Sequence, residues 1–336
     1  MNKSKRFLNN PRNIKQEVTN GFVLANKNRL HKIYDGNVLV ANNLAKDKVG
    51  LLIGGGMGAE PHFMGYVGKN MADCAVVGNF YAAPSPNIIL QATRAVDRKK
   101  GVQYLYNNYA GDNLSFDMAA ELAEEEGIQT KTVRISDNIG SIPINRKSDR
   151  GGIAGGILIV KVAGGAANSV DNLDDLHRIT KKANDNTRSL ITAAKSGTYL
   201  DSGELMFYLP ENEIEIGIGF QGEPGLLRTK MLPADEIVDY MLEQILDDLP
   251  LVENDEVVLL INNMGATTFI ELLIINNRIN QIHTEKKIFI FDTLIGNYYS
   301  SQEMSGFSIS LMKLDDELKK FYNLTASSFN FMKGDL

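Results

Sequence analysis

The chain has 336 residues, enough for two domains, and its 43% hydrophobic and 23% charged content excludes wholesale disorder, collagen and coiled-coil architectures. Lys and Arg number 35 against 41 Asp and Glu, a net charge of -6 that excludes the basic footprint of a protein gripping nucleic acid by itself, so contact with DNA would need a partner. A single cysteine, Cys74, excludes an intrachain disulfide and a Cys-rich metal site and suits a reducing cytoplasm.

Residues 1–20 mix Lys, Arg and Asn and lack the apolar core of an export signal. The most apolar stretch, 152–167, is interrupted by Lys161 and is shorter than the roughly 20 residues of a membrane span, so it reads as a buried helix. A strand at 49–53 runs straight into Gly54-Gly55-Gly56-Met57-Gly58. Strands at 75–77 and 102–106 flank a helix at 88–96; a second helix at 117–126 stops at Gly127, and 129–135 alternates like a half-exposed strand. This βαβ rhythm predicts an α/β layer structure.

A Gly-rich helix over 151–167 and a helix over 173–195, charged on one face, follow. The turn-rich segment 196–204 then marks a junction, giving an N-terminal α/β domain at 1–195 and a C-terminal α/β domain at 196–336. Beyond it the pattern predicts strands at 205–209 and 214–218, and a helix at 233–249 with Asp235 and Glu236 in its first turn, where carboxylates favour the helix dipole. A buried strand at 257–262, a helix at 268–282, strands at 287–291 and 307–314 and a helix at 315–322 complete the chain.

Four segments invite a chemical reading. The glycines of Gly54 to Gly58 let backbone amides approach a small polar ligand, but the run matches no nucleotide fingerprint and serves a plain tight turn equally well. Asp112, after Asn107-Asn108-Tyr109-Ala110-Gly111, sits where strand ends line a ligand crevice; it suits a base or hydroxyl acceptor, and equally a helix cap. The loop from Ile216 to Gly225 holds four glycines and Gln221, and the small residues of 151–167 fit close helix packing. His62 reads as solvent-facing, Cys74 as a buried inert thiol, and the four histidines show no metal-ligand spacing.

In this order the motifs resemble the dihydroxyacetone-binding subunit of the dihydroxyacetone kinases, particularly the phosphotransferase-dependent type. The matching segments are GGGMGAEPHFMGYVGKNMADCAVVGNFYAAPSP from Gly54, NNYAGDNLSFDMAAELAEEEGI from Asn107, GGIAGG from Gly151, IEIGIGFQGEPG from Ile214 and GNYYSSQEMSGFSISLMKLDDEL from Gly296, spanning about residues 20 to 325. The resemblance implies that family's two α/β domains, a homodimer, and dihydroxyacetone or a similar keto or polyol compound held by Gly56, Met57, Gly58, Ala59, Asn107, Asp112 and Gln221. It implies no cofactor or metal on this chain, because the nucleotide belongs to a separate partner subunit.

The departures from the family bear on function. Ala59 stands where the family's Gly-rich loop has a histidine, Asn107 where it has a lysine, and Gln221 where it has the histidine that adds to the ketone as a hemiaminal. A carboxamide nitrogen is delocalised and not nucleophilic, and an alanine relays no proton, so Asp112 alone survives of the reactive set. The family includes a non-catalytic paralogue that acts with a TetR-like transcription factor as coactivator of the dha operon. The expectation is therefore a cytoplasmic, ligand-responsive coactivator of that kind, touching neither nucleic acid nor membrane itself. Alternatives are a divergent kinase subunit working with a nucleotide-carrying partner, and a decoy that competes for partner subunits.

Overall fold

The computed structural model describes residues 5–34, 37–140 and 142–334; the first four residues of the charged N-terminal segment lie outside them. The chain divides into two compact units, each assembled from separate stretches.

The first unit comprises 8–135, 156–185 and 316–336. Its six-stranded sheet has the order β1-β2-β4-β3-β5-β6, from β1 (Leu30–Ile33), β2 (Val38–Ala41), β3 (Gly50–Met57), β4 (Cys74–Phe80), β5 (Val102–Asn107) and β6 (Thr130–Ile135). The last four strands run parallel, whereas β1 and β2 form an antiparallel hairpin on the edge beside β4. Parallel strands need crossovers, and helices supply them: α2 (Pro86–Val96) and α3 (Ala110–Glu125), with α1 (Ile14–Ala25) preceding the hairpin. The central strands are buried nearly throughout, so they read as continuous apolar runs.

Two later helices return to this unit, α4 (Gly156–Ala167) and α5 (Leu173–Asp185), and α8 (Asp316–Tyr322) closes on α4. Every residue of α4 is buried, including Lys161, whose ammonium donates to the Phe321 carbonyl at 2.9 Å. Its small residues have a packing reason: a Cβ on Gly164 would stand 2.5 Å from the Asn70 carbonyl oxygen and the Met71 Cα.

The second unit comprises 136–155 and 186–315, with the few residues before Leu8. Its sheet has the order β11-β10-β12-β7-β8-β9, from β7 (Thr187–Lys195), β8 (Glu213–Ile216), β9 (Leu227–Lys230), β10 (Glu256–Asn263), β11 (Phe289–Gly296) and β12 (Ser305–Leu314). Only β10 and β11 are parallel. Two helices join these strands, α6 (Ala234–Asp248) and α7 (Phe269–Glu285), burying Ile237, Met241, Leu242 and Ile245, and Leu272, Ile275 and Ile279, in the same apolar core. Thr268 and Glu271 form a reciprocal capping box at the start of α7.

Several expectations are corrected. The helix expected over 173–195 ends at Asp185, and Thr187–Lys195 is a central strand paired with β12 and β8. Consequently the break falls between 185 and 186 instead of 195 and 196, and the chain returns to the first unit after Asp315, so the units are not consecutive halves. The Gly-rich helix starts at Gly156, not at 151; residues before it bend around buried Asp137, whose carboxylate accepts the N–H groups of Ile153 and Gly155 at 2.8 and 2.9 Å. No strand forms at 205–209, where Leu205 makes only an isolated bridge to Thr198. The helix expected from 117 begins at Ala110. Among the described residues no helix is long and apolar enough to cross a membrane.

Candidate functional site

In the first unit the Gly-rich run forms the carboxyl end of β3, beside the carboxyl end of β5, where an open parallel sheet offers its ligand crevice. Its glycines have different reasons. A Cβ on Gly56 would stand 2.8 Å from the Ala82 nitrogen, and one on Gly58, at φ 121°, would enter the Tyr81 ring. A Cβ on Gly55 would stand 2.8 Å from the Phe63 ring and 3.5 Å from Asp112 Oδ1, so this glycine is the one that leaves room beside the carboxyl. Met57 and Ala59 are both buried. Glu60 closes the turn, both its carboxylate oxygens accepting the Gly58 N–H at 3.0 Å. Burial pushes the Glu60 carboxyl upward, and that bond opposes the shift.

Asn107 ends β5, and Asp112 occupies the first turn of α3, with Tyr109 as the N-cap residue. Asp112 is thus not the cap the sequence allowed. Its side chain is buried, Oδ1 has no hydrogen-bond partner, and burial pushes the carboxyl up to about 7 against the opposing bond from its own N–H. Asn107 is buried beside His62, whose ring shares a hydrogen bond with its side chain, and a Cβ on Gly156, at the start of α4, would lie 3.7 Å from Asn107 Oδ1. A buried carboxyl oxygen without a donor is costly and suited to a hydroxyl group brought by a ligand.

His62 belongs to this cluster and was missed. It is buried, not solvent-facing, with its ring 3.5 Å from that of Phe63 and 6.0 Å from that of Tyr66. Burial pushes the imidazole down to about 3, with the adjacent Asn107 side chain pulling the other way, so it is neutral at physiological pH. A neutral imidazole offers one donor and one acceptor. The only hint in the sequence was its place two residues after Glu60 in the Gly-rich loop.

Gln221 lies in the second unit, exposed at the apex of the loop between β8 and β9. The loop is fastened on both sides of it. Gly219 N–H donates to the Glu223 carbonyl at 2.8 Å, Gln221 N–H to the Glu223 carboxylate at 3.0 Å, and Gly225 N–H to buried Glu215 at 2.7 Å, while Arg228 pairs with that same Glu215. Left-handed φ values at Gly217 (84°) and Gly222 (95°) require glycine there. The structure therefore gathers Gly55, Met57, Asn107, Asp112 and His62 in one unit and places Gln221 on a hydrogen-bonded turn of the other. Cys74 is buried, and burial pushes its thiol well above the usual range. Among the described residues no group of three or more His, Cys, Asp or Glu could hold a metal ion.

The Dak1 domain pattern matches residues 20–329. The chain belongs to the Dak1 family. A Listeria innocua protein, the dihydroxyacetone-binding subunit DhaK of PTS-dependent dihydroxyacetone kinase 2, is 42% identical over 286 residues, covering 85% of this chain and 86% of that one. The solved dihydroxyacetone kinase operon co-activator Dha-DhaQ superposes with a TM-score of 0.89 at 27% identity, covering 96% of this chain and 99% of its own. The C. freundii dihydroxyacetone kinase bound to AMP-PNP and Mg2+ gives 0.88 at 29% identity, covering 98% of this chain and 61% of its own. This Dak1 chain is DhaK-like in sequence and shares its fold with both the kinase and the co-activator.

Proposed function

We propose that this Dak1 protein is a catalytically disabled relative of the dihydroxyacetone-binding kinase subunit. In this reading it holds dihydroxyacetone or a similar small keto or polyol compound without a covalent bond and acts in the cytoplasm as a ligand-responsive transcriptional coactivator. The observation that carries the reading is Gln221 at the apex of the fastened loop, where no side-chain nitrogen can attack a ketone. Asp112 Oδ1 supplies an acceptor for a hydroxyl, and the hydrogen-bonded pair of Asn107 and neutral His62 supplies further polar groups. Ala59 and Asn107 bring no ionisable group that would relay a proton. The co-activator likeness favours regulation, and the charge of -6 supports leaving DNA contact to a separate partner, which we take to be TetR-like.

A homodimer is part of the proposal, supported by Phe269, Ile270, Leu273 and Ile274, which α7 leaves exposed as one apolar face. The ligand acts on the complex only if it binds two conformations unequally. Co-purification with a neighbouring TetR-like protein, with and without dihydroxyacetone, tests the reading. A complex whose yield changes with the triose is expected; no complex under either condition, with capture of a nucleotide-carrying kinase subunit instead, would overturn it. That second outcome would support a divergent kinase subunit, which the retained Asp112, poised at about 7, and the 42% identical DhaK relative favour.

A further inference from the structure

At the opposite edge of the first unit's sheet, where β3 and β4 begin, a cavity of about 570 Å3 opens beneath the segment that follows β2. Its floor is Lys48 and Asp73, with side chains only 5% and 6% exposed and their charged atoms 3.0 Å apart. Asp73 is already fully engaged: it also accepts the Leu51 N–H at 2.8 Å and Arg98 Nη2 at 2.8 Å. Two cations therefore share one carboxylate beneath the cavity, and Arg98 Nη1 is buried with no hydrogen-bond partner. Burial pushes the Lys48 ammonium down, Asp73 restores it, and Arg98 opposes it again. Arg29, which also donates to the Ser328 carbonyl at 3.1 Å, and Lys69 add two exposed cations at the rim, and Asn43, Asn70 and Asn168 line the walls, with Asn70 Nδ2 held by the Thr325 carbonyl at 2.7 Å and Asn168 Nδ2 by Asn70 Oδ1 at 2.6 Å. Asp73 is the only carboxylate among the described lining residues.

A buried positive excess is unfavourable until an anion neutralises it, and an anion with hydroxyls would also use the amide-rich walls. We propose that this cavity is a second binding site, separate from the Asp112 cluster, for a small phosphate monoester carrying hydroxyl groups. The dianion sits over Lys48 between Arg29 and Lys69, and the asparagines hold the polyol part. The inference stands on this cavity alone and does not depend on what the Asp112 cluster binds.

Calorimetric titration of the full chain with glycerol 3-phosphate tests it, with glycerol and inorganic phosphate as controls. Expected are saturable binding that weakens as salt is raised, no heat from glycerol, and weaker binding of inorganic phosphate. The rim variant Arg29→Glu with Lys69→Glu, which also removes the Arg29 bond to the Ser328 carbonyl and is therefore compared at an unfolding midpoint matched to the wild type, should weaken binding at least about tenfold, the order expected when two favourable charges become repulsive. Lys48→Met breaks a buried ion pair as well, so the rim variant carries the decision. Asp112→Asn should bind glycerol 3-phosphate like the wild type. No saturable binding at about 10 mM, tenfold above a common metabolite range, overturns the proposal. So does rim-variant affinity within twofold of wild type, equal affinity for inorganic phosphate, or loss of binding in Asp112→Asn.

Discussion

Asp112 should weaken the folded state as pH rises, and replacing it with asparagine should remove that weakness. Burial moves the carboxyl from its ordinary 3.8 up to about 7. Below 3.8 the group is protonated in folded and unfolded chains alike and contributes nothing to the pH dependence. Between 3.8 and about 7 the unfolded chain has released the proton and the folded chain retains it, so stability falls by about 1.4 kcal/mol per pH unit. Above about 7 the full penalty, on the order of 4 kcal/mol, is in place. The carboxamide of the Asp112→Asn variant does not titrate, and the pH-independent cost of burying that amide cancels when one variant is compared at two pH values. Denaturant unfolding at pH 5 and pH 8 should therefore show the wild type losing about 3 kcal/mol more than Asp112→Asn over that interval. A triose hydroxyl donating to Oδ1 offsets the penalty, so dihydroxyacetone should stabilise the wild type more at pH 8 than at pH 5. A difference below about 0.5 kcal/mol, within ordinary error for surface changes, or one of opposite sign, would refute the account of Asp112 as a desolvated carboxyl awaiting a donor.

Native intact-mass spectrometry without a reducing agent should find no covalent triose increment on the wild type; a stoichiometric adduct within residues 214–225 would contradict the reading of Gln221. With partner nucleotide and phosphocarrier subunits supplied, triose phosphate should not exceed background, since losing one acid or base alone costs about 10² to 10⁴-fold. Restoring Ala59→His, Asn107→Lys and Gln221→His together should bring measurable turnover, and wild-type activity within about tenfold of a working subunit would defeat the disabled-site assignment. Light scattering should return about twice the 37.1 kDa chain mass, and a monomer at micromolar concentration would remove the homodimer from the proposal.

The parallel core was legible because its strands are apolar runs separated by helical periodicity, and α6 was legible from its first-turn carboxylates. β7 was not. Buried on both faces from Thr187 to Ala193, it shows no two-residue alternation, and its Ala193-Ala194-Lys195 end favours helix locally. What makes it a strand is β12, more than a hundred residues later, which no local signal announces. The same misreading displaced the domain boundary, since turn-rich composition marks where the chain bends and not which sheet receives the next strand. His62 eluded the sequence for a related reason: its burial is decided by Asn107 and Tyr66, which the fold brings to it.

The glycines that make the Gly-rich loop conspicuous are mostly explained without a ligand. Gly54 is confined by Val76, Gly56 by Ala82 and Gly58 by Tyr81, so a protein that bound nothing would still need them to close this sheet edge. Retention of the motif is therefore an argument for the fold. Asp112 is different, because a buried carboxyl with an unpartnered oxygen is a cost that packing does not require, and Gly55 is the residue whose missing side chain keeps space beside it. A sequence free of any ligand would relieve that cost with a single change to asparagine or serine. In the proposed reading the aspartate is kept as an acceptor for a hydroxylated molecule, while Ala59, Asn107 and Gln221 bring no group that would make a covalent bond or pass a proton. Binding without turnover is the behaviour such a division permits, and it is what a ligand-responsive coactivator requires.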